Sequence, residues 1–97
     1  MAQLLLDWLE EVGLSRKVQS FGDFKDGYLL GEILARYNQQ LNFAQFSSKQ
    51  TSAAKLANFC LLEPTMHRIG VHFNSRLATS LMAGKERDTK NLLYEMK

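Results

Sequence analysis

The sequence offers few residues that could act as a nucleophile or hold a metal ion: one cysteine and two histidines. Cys60 lies in the apolar run 59–62, a context that favours a buried, inert thiol over a catalytic one. His67 and His72 are five residues apart, so they lack the i, i+4 spacing that puts two metal ligands on one helical face. The acidic residues, histidines and serines form no recognisable catalytic motif. The sequence therefore predicts a protein without enzymatic activity, cofactor or metal.

Basic residues are the other candidates for chemistry, because lysine and arginine can bind an acidic protein surface. They occur after the first predicted helix, around the start of a central helix and near the last helix, as Arg16 and Lys17, as Lys49 and Lys55, and as Lys85, Arg87 and Lys90. Glu86 and Asp88 interleave the last group, whereas no acidic residue stands beside the first group in the sequence. We therefore favour Arg16 and Lys17 as a partner-binding site, with the last group as second candidate. The alternative is that all of them are ordinary solvated surface.

The size and charge of the chain limit the classes of function. At 97 residues it has the length of one domain, and its net charge of +2 is too small to predict nucleic-acid binding. No run approaches the roughly 18 apolar residues needed to cross a bilayer, so we expect no membrane insertion. The single cysteine excludes an internal disulfide and is typical of a reducing compartment.

The fold class follows from the spacing of the apolar residues. They recur with helical spacing almost throughout, and no stretch sustains a period of two, which predicts an all-α fold. In the first segment Leu5, Trp8, Leu9 and Val12 form one stripe, so Trp8 is interpreted as a core residue. Gly13 should end this helix.

A second helix is predicted over residues 24–37, with Asp23 or Asp26 as its N-cap. Gly27 and Gly31 would lie inside it. Because glycine costs about 1 kcal/mol against alanine in a helix interior, we expect a neighbouring backbone to approach closely there.

The middle of the chain is predicted to be an irregular connection followed by an interrupted helix. In the polar segment 38–50, the apolar residues Leu41, Phe43 and Phe46 should attach the connection to the core. The next helix should be capped by Thr51 or Ser52 and should kink or stop near 62–63, because Pro64 disfavours helical geometry at the residue before it. Its core-facing residues are predicted to be Ala53, Leu56, Ala57, Phe59 and Cys60.

Two more helices complete the prediction. After Gly70, a short helix should be capped by Asn74 or Ser75 and should end at Gly84. A charged turn over 85–88 then precedes a last helix that carries Leu92, Leu93 and Met96. The result is one domain over 1–97, a compact bundle of four main helices plus short connecting helices, expected to be the N-terminal part of a longer protein. Its core should include Trp8, Leu29, Ile33, Leu56, Phe59 and Leu93.

Three segments, in this order and spacing, resemble the calponin-homology (CH) domain. They are Leu6-Asp7-Trp8-Leu9, the stretch 24–34 with its Asp26-Gly27 pair, and 66–71 with its Ile69-Gly70-Val71 turn. Within that superfamily the chain is most similar to the divergent CH-like domains at the N-termini of sperm-flagellar and central-pair proteins. That similarity rests on the stretches 27–32, 52–59, 62–65 and 69–71.

The resemblance implies a non-catalytic module of ciliary or flagellar proteins, located in the cytoplasm at the axonemal cytoskeleton, some of whose relatives bind microtubules. Microtubules or other axonemal proteins are therefore the expected partners. Actin is a weaker alternative, because actin binding in the superfamily usually involves two CH domains in tandem and 97 residues hold only one. A further alternative is an adaptor that binds another ciliary subunit through an apolar groove. The calcium and phosphoinositide contacts of certain members have no recognisable counterpart here.

Overall fold

A computed structural model describes residues 3–97, so the first two residues of the predicted domain lie outside the described residues. The predicted all-α class is confirmed: five helices occur in residues 3–97, and no strand does. They are α1 (Gln3–Val12), α2 (Tyr28–Arg36), α3 (Ser52–Arg68), α4 (Ser75–Met82) and α5 (Glu86–Met96). Short 3₁₀ turns at Phe21–Phe24 and Phe43–Gln45 precede α2 and α3.

The first helix follows its sequence pattern. Leu5, Trp8 and Leu9 are buried on one side of α1, and Gly13 follows the helix with a φ of +78°, as a C-terminal glycine should. The predicted core position of Trp8 is confirmed, and its indole Nε1–H donates to the Tyr37 hydroxyl at 3.0 Å.

Helix α2 begins later than predicted. Its N-cap is Gly27, whose φ of +76° is in the left-handed region, so neither predicted aspartate occupies the cap position. Asp23 instead accepts the backbone N–H groups of residues 19 and 20 at the 3₁₀ turn, and Asp26 Oδ1 accepts the Tyr28 N–H at 3.0 Å. The two aspartates thus stabilise the turns that lead into the helix. An aspartate just before a helix is typical of an N-cap, which explains why both were predicted as one.

The close approach expected at the two glycines is present, but side chains make it. A Cβ atom on Gly31 would lie 2.4 Å from Cε2 of the Phe46 ring, and a Cβ atom on Gly27 would lie 3.2 Å from the Asn58 Cβ. The expectation that a neighbouring backbone approaches the two glycines was therefore wrong, because side chains approach them instead. Gly31 lets the connecting segment dock its aromatic ring onto α2.

Helix α3 departs most from the prediction. Thr51 is its N-cap, as expected, and its Oγ1 accepts the Ala54 N–H at 3.2 Å. The helix then continues through Pro64 to Arg68, so the predicted stop near 62–63 is wrong. Pro64 lies on the exposed side, where its ring meets solvent and only the hydrogen bond to the carbonyl four residues earlier is lost.

The buried side of α3 is also not the predicted one. Of the five predicted core-facing residues only Phe59 is buried; Leu56 is 56% exposed and Cys60 is exposed, so the predictions of a core Leu56 and a buried thiol were wrong. The buried residues are Asn58, Phe59, Leu62, Thr65 and Met66. Asn58 explains why α3 turns this side toward the core in place of the predicted side. Its side-chain amide makes hydrogen bonds with three backbone groups inside the fold.

The last two helices are close to their predictions. The Asn74 side chain caps α4 by accepting the Leu77 N–H at 2.9 Å. The predicted charged turn 85–88 is wrong beyond its first residue, since α5 already begins at Glu86. Glu86 and Asp88 therefore occupy the first turn of a helix, where negative charge is favourable. Leu92 and Leu93 are buried in the core.

Candidate interaction site

The loop after α1 is held against α2 by two buried carboxylates. Glu32 is 5% exposed and accepts both the backbone N–H of Ser15, at 3.0 Å, and its hydroxyl, at 2.9 Å. The next residue, Arg16, lies 3.7 Å from the carboxylate of the 3% exposed Asp26. Its guanidinium carbon also lies 5.5 Å from the centre of the Tyr28 ring. The loop is thus a fixed part of the surface.

Folding changes the charge environment of Arg16. Arg16 has no acidic neighbour in the sequence, but folding brings Asp26 to it, and its side chain is only 47% exposed. Lys17, in contrast, is exposed beside a hollow of about 540 Å³. Four apolar residues line this hollow together with Glu10, namely Leu6, Leu9, Leu14 and Val18. Asp26 therefore compensates part of the positive charge of the cluster formed by Arg16 and Lys17.

Helix α5 presents the other basic cluster on one side. Arg87 and Lys90 are exposed, and three- and four-residue spacing puts them on the same face as Tyr94, which is 41% exposed. Asp88 follows Arg87 by one position and so points about 100° away around the helix, whereas Glu86 lies four residues before Lys90 and is its neighbour on the helix surface. Within residues 3–97 the ion pairs are Arg16–Asp26 and Arg36–Glu32, and neither involves this face.

Of the remaining basic candidates, one lies at the start of α5 and two lie near the start of α3. Lys85 is exposed at the N-cap of α5, and its backbone carbonyl accepts the Thr89 hydroxyl at 2.9 Å. Lys49 is exposed in the segment before α3, whereas Lys55 is half-buried in the first turn of that helix. Tyr94 was not among the predicted contact residues, although its spacing from Arg87 and Lys90 places it on their face.

The two histidines make hydrogen bonds with residues near them in the sequence, and the cysteine is a free thiol. Cys60 is an exposed free thiol. His67 Nε2 lies 2.7 Å from the Phe73 carbonyl oxygen, and His72 Nε2 lies 3.4 Å from the Asn74 side-chain amide. Among residues 3–97, no three His, Cys, Asp or Glu side chains are grouped so that they could hold a metal ion. Within the same range, no helix has the length and apolar character to span a bilayer.

A second hollow, of about 370 Å³, lies between the connection before α3 and the second half of that helix. Its lining includes Leu41, which is 91% exposed although it was predicted to attach the connection to the core. The other two predicted attachment residues are inside, with Phe46 buried and Phe43 partly buried. Gln40 also lines the hollow; it is 4% exposed, and its Oε1 has no hydrogen-bond partner. An unpaired buried acceptor of this kind costs about 1 to 3 kcal/mol.

Comparison with known proteins agrees with this architecture. The family model described as "CH-like domain in sperm protein" matches residues 5–97. The chain belongs to this family of CH-like domains. It is 42% identical to sperm flagellar protein 2 of Sus scrofa, 40% to that of Mus musculus and 39% to that of Homo sapiens, each over 99% of the chain. The chain spans 6% of the length of each of these relatives. The CH-like identity expected from the sequence motifs is thereby confirmed.

Proposed function

We propose that this CH-like domain is a non-catalytic interaction module of a flagellar cytoskeletal protein. In this proposal it lies in the cytoplasm at the axoneme, where it binds microtubules or axonemal proteins through exposed basic residues. Family membership and the flagellar names of the relatives support the setting. The basic surface of the domain supports the mode of binding, because microtubule surfaces are acidic.

The observation that carries the proposal is the exposed face of α5. Arg87 and Lys90 lie beside Tyr94 on that face, and within residues 3–97 neither cation takes part in an ion pair. Cations that are in no ion pair have none to give up when they meet a negative surface, whereas Arg16 would have to share its charge with Asp26. We therefore propose the α5 face as the main contact and Lys17, with Arg16, as a secondary one.

Co-sedimentation of the 97-residue chain with microtubules, and in parallel with actin filaments, tests the proposal. The chain should pellet with microtubules at low salt, and the bound fraction should fall steeply as salt rises, because screening weakens contacts between exposed charges. Reversal of Arg87 and Lys90 to glutamate should weaken microtubule binding by about tenfold or more, and reversal of Arg16 and Lys17 should weaken it less.

Reversal of Lys25 and Arg76 provides a matched control, since both are exposed and the change in net charge is identical. If this control weakens binding as much as the α5 reversal, the contact depends on net charge and the assigned face is wrong. If the wild-type chain does not pellet with microtubules at low salt, the filament proposal fails. Pelleting with actin alone would put the actin alternative in its place.

A further inference from the structure

The solvent-facing side of α3 is apolar over three turns. Spacing on this helix puts five exposed residues on one side, Ala53, Leu56, Ala57, Cys60 and Pro64. Leu41, 91% exposed, stands beside the hollow at the second half of the same side. A helix normally turns such a stripe toward a core. Here the core lies on the opposite side, so this second stripe is left without a partner.

The shape of this side suits another helix. Ala53 and Ala57 are small and allow a close approach of a second backbone, while Leu56 projects beside them. Further along, the hollow of about 370 Å³ between Leu41 and Pro64 has room for one or two apolar side chains. A shallow surface at Ala53 and Ala57, followed by a deeper hollow, fits an amphipathic helix that lies along α3 and inserts one anchor side chain.

Two acceptors near the hollow lack a hydrogen-bond donor within residues 3–97. Pro64 has no N–H, so the carbonyl of Cys60 has no helical donor. Gln40 Oε1 is buried without a partner. The orientation of that amide is fixed, because its Nε2 donates to the Leu61 carbonyl oxygen, at 3.3 Å, and a carbonyl can only accept. A purely apolar occupant would leave the Cys60 carbonyl without a donor. The Gln40 Oε1 atom is enclosed by the protein, so it stays unpaired with any occupant.

The charges at the edges of this side are of opposite sign. Helical spacing puts Glu63 at one edge of the apolar stripe and Arg68 at the other. Neither takes part in an ion pair within the part of the chain that the structure describes, and the Arg68 guanidinium donates to the Gln39 carbonyl oxygen. The one ionisable side chain nearer the middle, His67, is engaged by the Phe73 carbonyl. A complementary helix would carry basic or amide side chains toward Glu63 and acidic ones toward Arg68.

We propose that the exposed side of α3, together with Leu41, binds an amphipathic helix from another polypeptide. The apolar stripe of that helix covers Leu56 and Cys60, and one of its side chains enters the hollow beside Pro64. Its basic or amide edge meets Glu63, and its acidic edge meets Arg68 beside the hollow. This surface is separate from the proposed filament contact, which belongs to α5 and to the loop after α1, so the two proposals stand or fall independently.

A display library of 18-residue amphipathic helices, with a fixed apolar stripe and varied edge residues, is the probe. Selection against the 97-residue chain should enrich helices that have basic or amide residues on one edge and acidic residues on the other. Synthetic versions should bind, and scrambled versions of the same composition should not. Leu56→Glu and Leu41→Glu should each weaken binding by about tenfold or more, since a buried unpaired carboxylate opposes apolar docking.

Leu4→Glu is the matched control, because Leu4 on α1 is 57% exposed and Leu56 is 56% exposed. Both variants replace an exposed leucine, so both should keep the helical circular-dichroism spectrum and the unfolding midpoint of the wild type. The proposal is overturned if no enriched helix distinguishes Leu56→Glu from Leu4→Glu. It is also overturned if sedimentation equilibrium shows a dimer of the chain that Leu56→Glu abolishes, since a second copy would then cover this side.

Discussion

Helices α2 and α3 pack against each other, but they differ in which kinds of side chain they bury and which they expose to solvent. Six consecutive residues of α2, from Leu29 to Leu34, are buried, and even the acidic Glu32 among them is paired. On α3 one side is buried and polar groups such as Asn58 lie there, while an apolar stripe faces out. The difference shows that apolar character alone does not decide which side of a helix is inside. The hydrogen-bonding needs of buried polar groups decide with it.

The buried amide of Asn58 makes this point in detail. Its Nδ2 donates to the carbonyl oxygens of Asp26, at 2.9 Å, and Ser47, at 2.8 Å, and its Oδ1 accepts the Ser47 N–H at 3.0 Å. One side chain thereby joins α3 to the start of α2 and to the connection between them. Rotating α3 to bury Leu56 would break all three bonds. The fold instead leaves the leucine in solvent.

The sharpest test of the comparison sets the two sides of α3 against each other. Phe59→Ala should lower the free energy of unfolding by about 3 to 5 kcal/mol, because it leaves a cavity beside Phe73, whose ring centre lies 6.2 Å away. Leu56→Ala should change it by less than about 0.5 kcal/mol, as at other exposed positions. Urea denaturation measures both. Equal losses would mean that the exposed stripe is covered in solution.

Much of this fold follows from the sequence, and the failures share one cause. Helices α1, α4 and α5 carry apolar residues on one side and polar residues on the other, so their spacing identifies the buried side. Helix α3 has apolar residues on both sides, and the choice between them depends on contacts with Asp26 and Ser47, which are distant in the sequence. Spacing alone carries no information about those contacts.

The candidate site also has one part that follows from the sequence and another part that does not. The shared face of Arg87 and Lys90 follows from helical spacing once α5 is known to start at Glu86. The pairing of Arg16 with Asp26 depends on the path of the connection between α1 and α2, residues 13–27, which no local pattern specifies. The exposure of Leu41 is unpredictable for the same reason.

Removal of the Asn58 amide should have the next largest effect. Asn58→Ala leaves two carbonyls and one N–H without their partner, so the free energy of unfolding should fall by about 3 kcal/mol. Asn91→Ala, at an exposed position on α5, should change it by less than about 0.5 kcal/mol. Thermal and urea unfolding of the two variants supply the comparison. A neutral Asn58→Ala would remove the explanation offered for the orientation of α3.

A smaller loss is expected where the connection docks on α2. Gly31→Ala gains about 1 kcal/mol of helix propensity, but its Cβ would lie 2.4 Å from the Phe46 ring, and overpacking costs about 1 to 3 kcal/mol. The net loss should be about 1 kcal/mol. In a Phe46→Leu background the same change should be neutral or stabilising, because the ring is absent. A loss of the same size in both backgrounds would show that the ring is not the obstacle.

The smallest effect concerns Pro64, and its sign is informative. A helix that breaks at this proline would gain nothing from alanine, whereas a helix that continues through it gains the N–H that the Cys60 carbonyl lacks. Pro64→Ala should therefore stabilise the fold by about 1 kcal/mol, the gain being limited because alanine also loosens the unfolded chain. Pro64→Gly restores the same N–H but costs about 1 kcal/mol in helix propensity, so it should be close to neutral. If urea denaturation shows that Pro64→Ala destabilises the domain, the ring itself contributes packing on the exposed side of α3, and that side is less open than its exposure indicates.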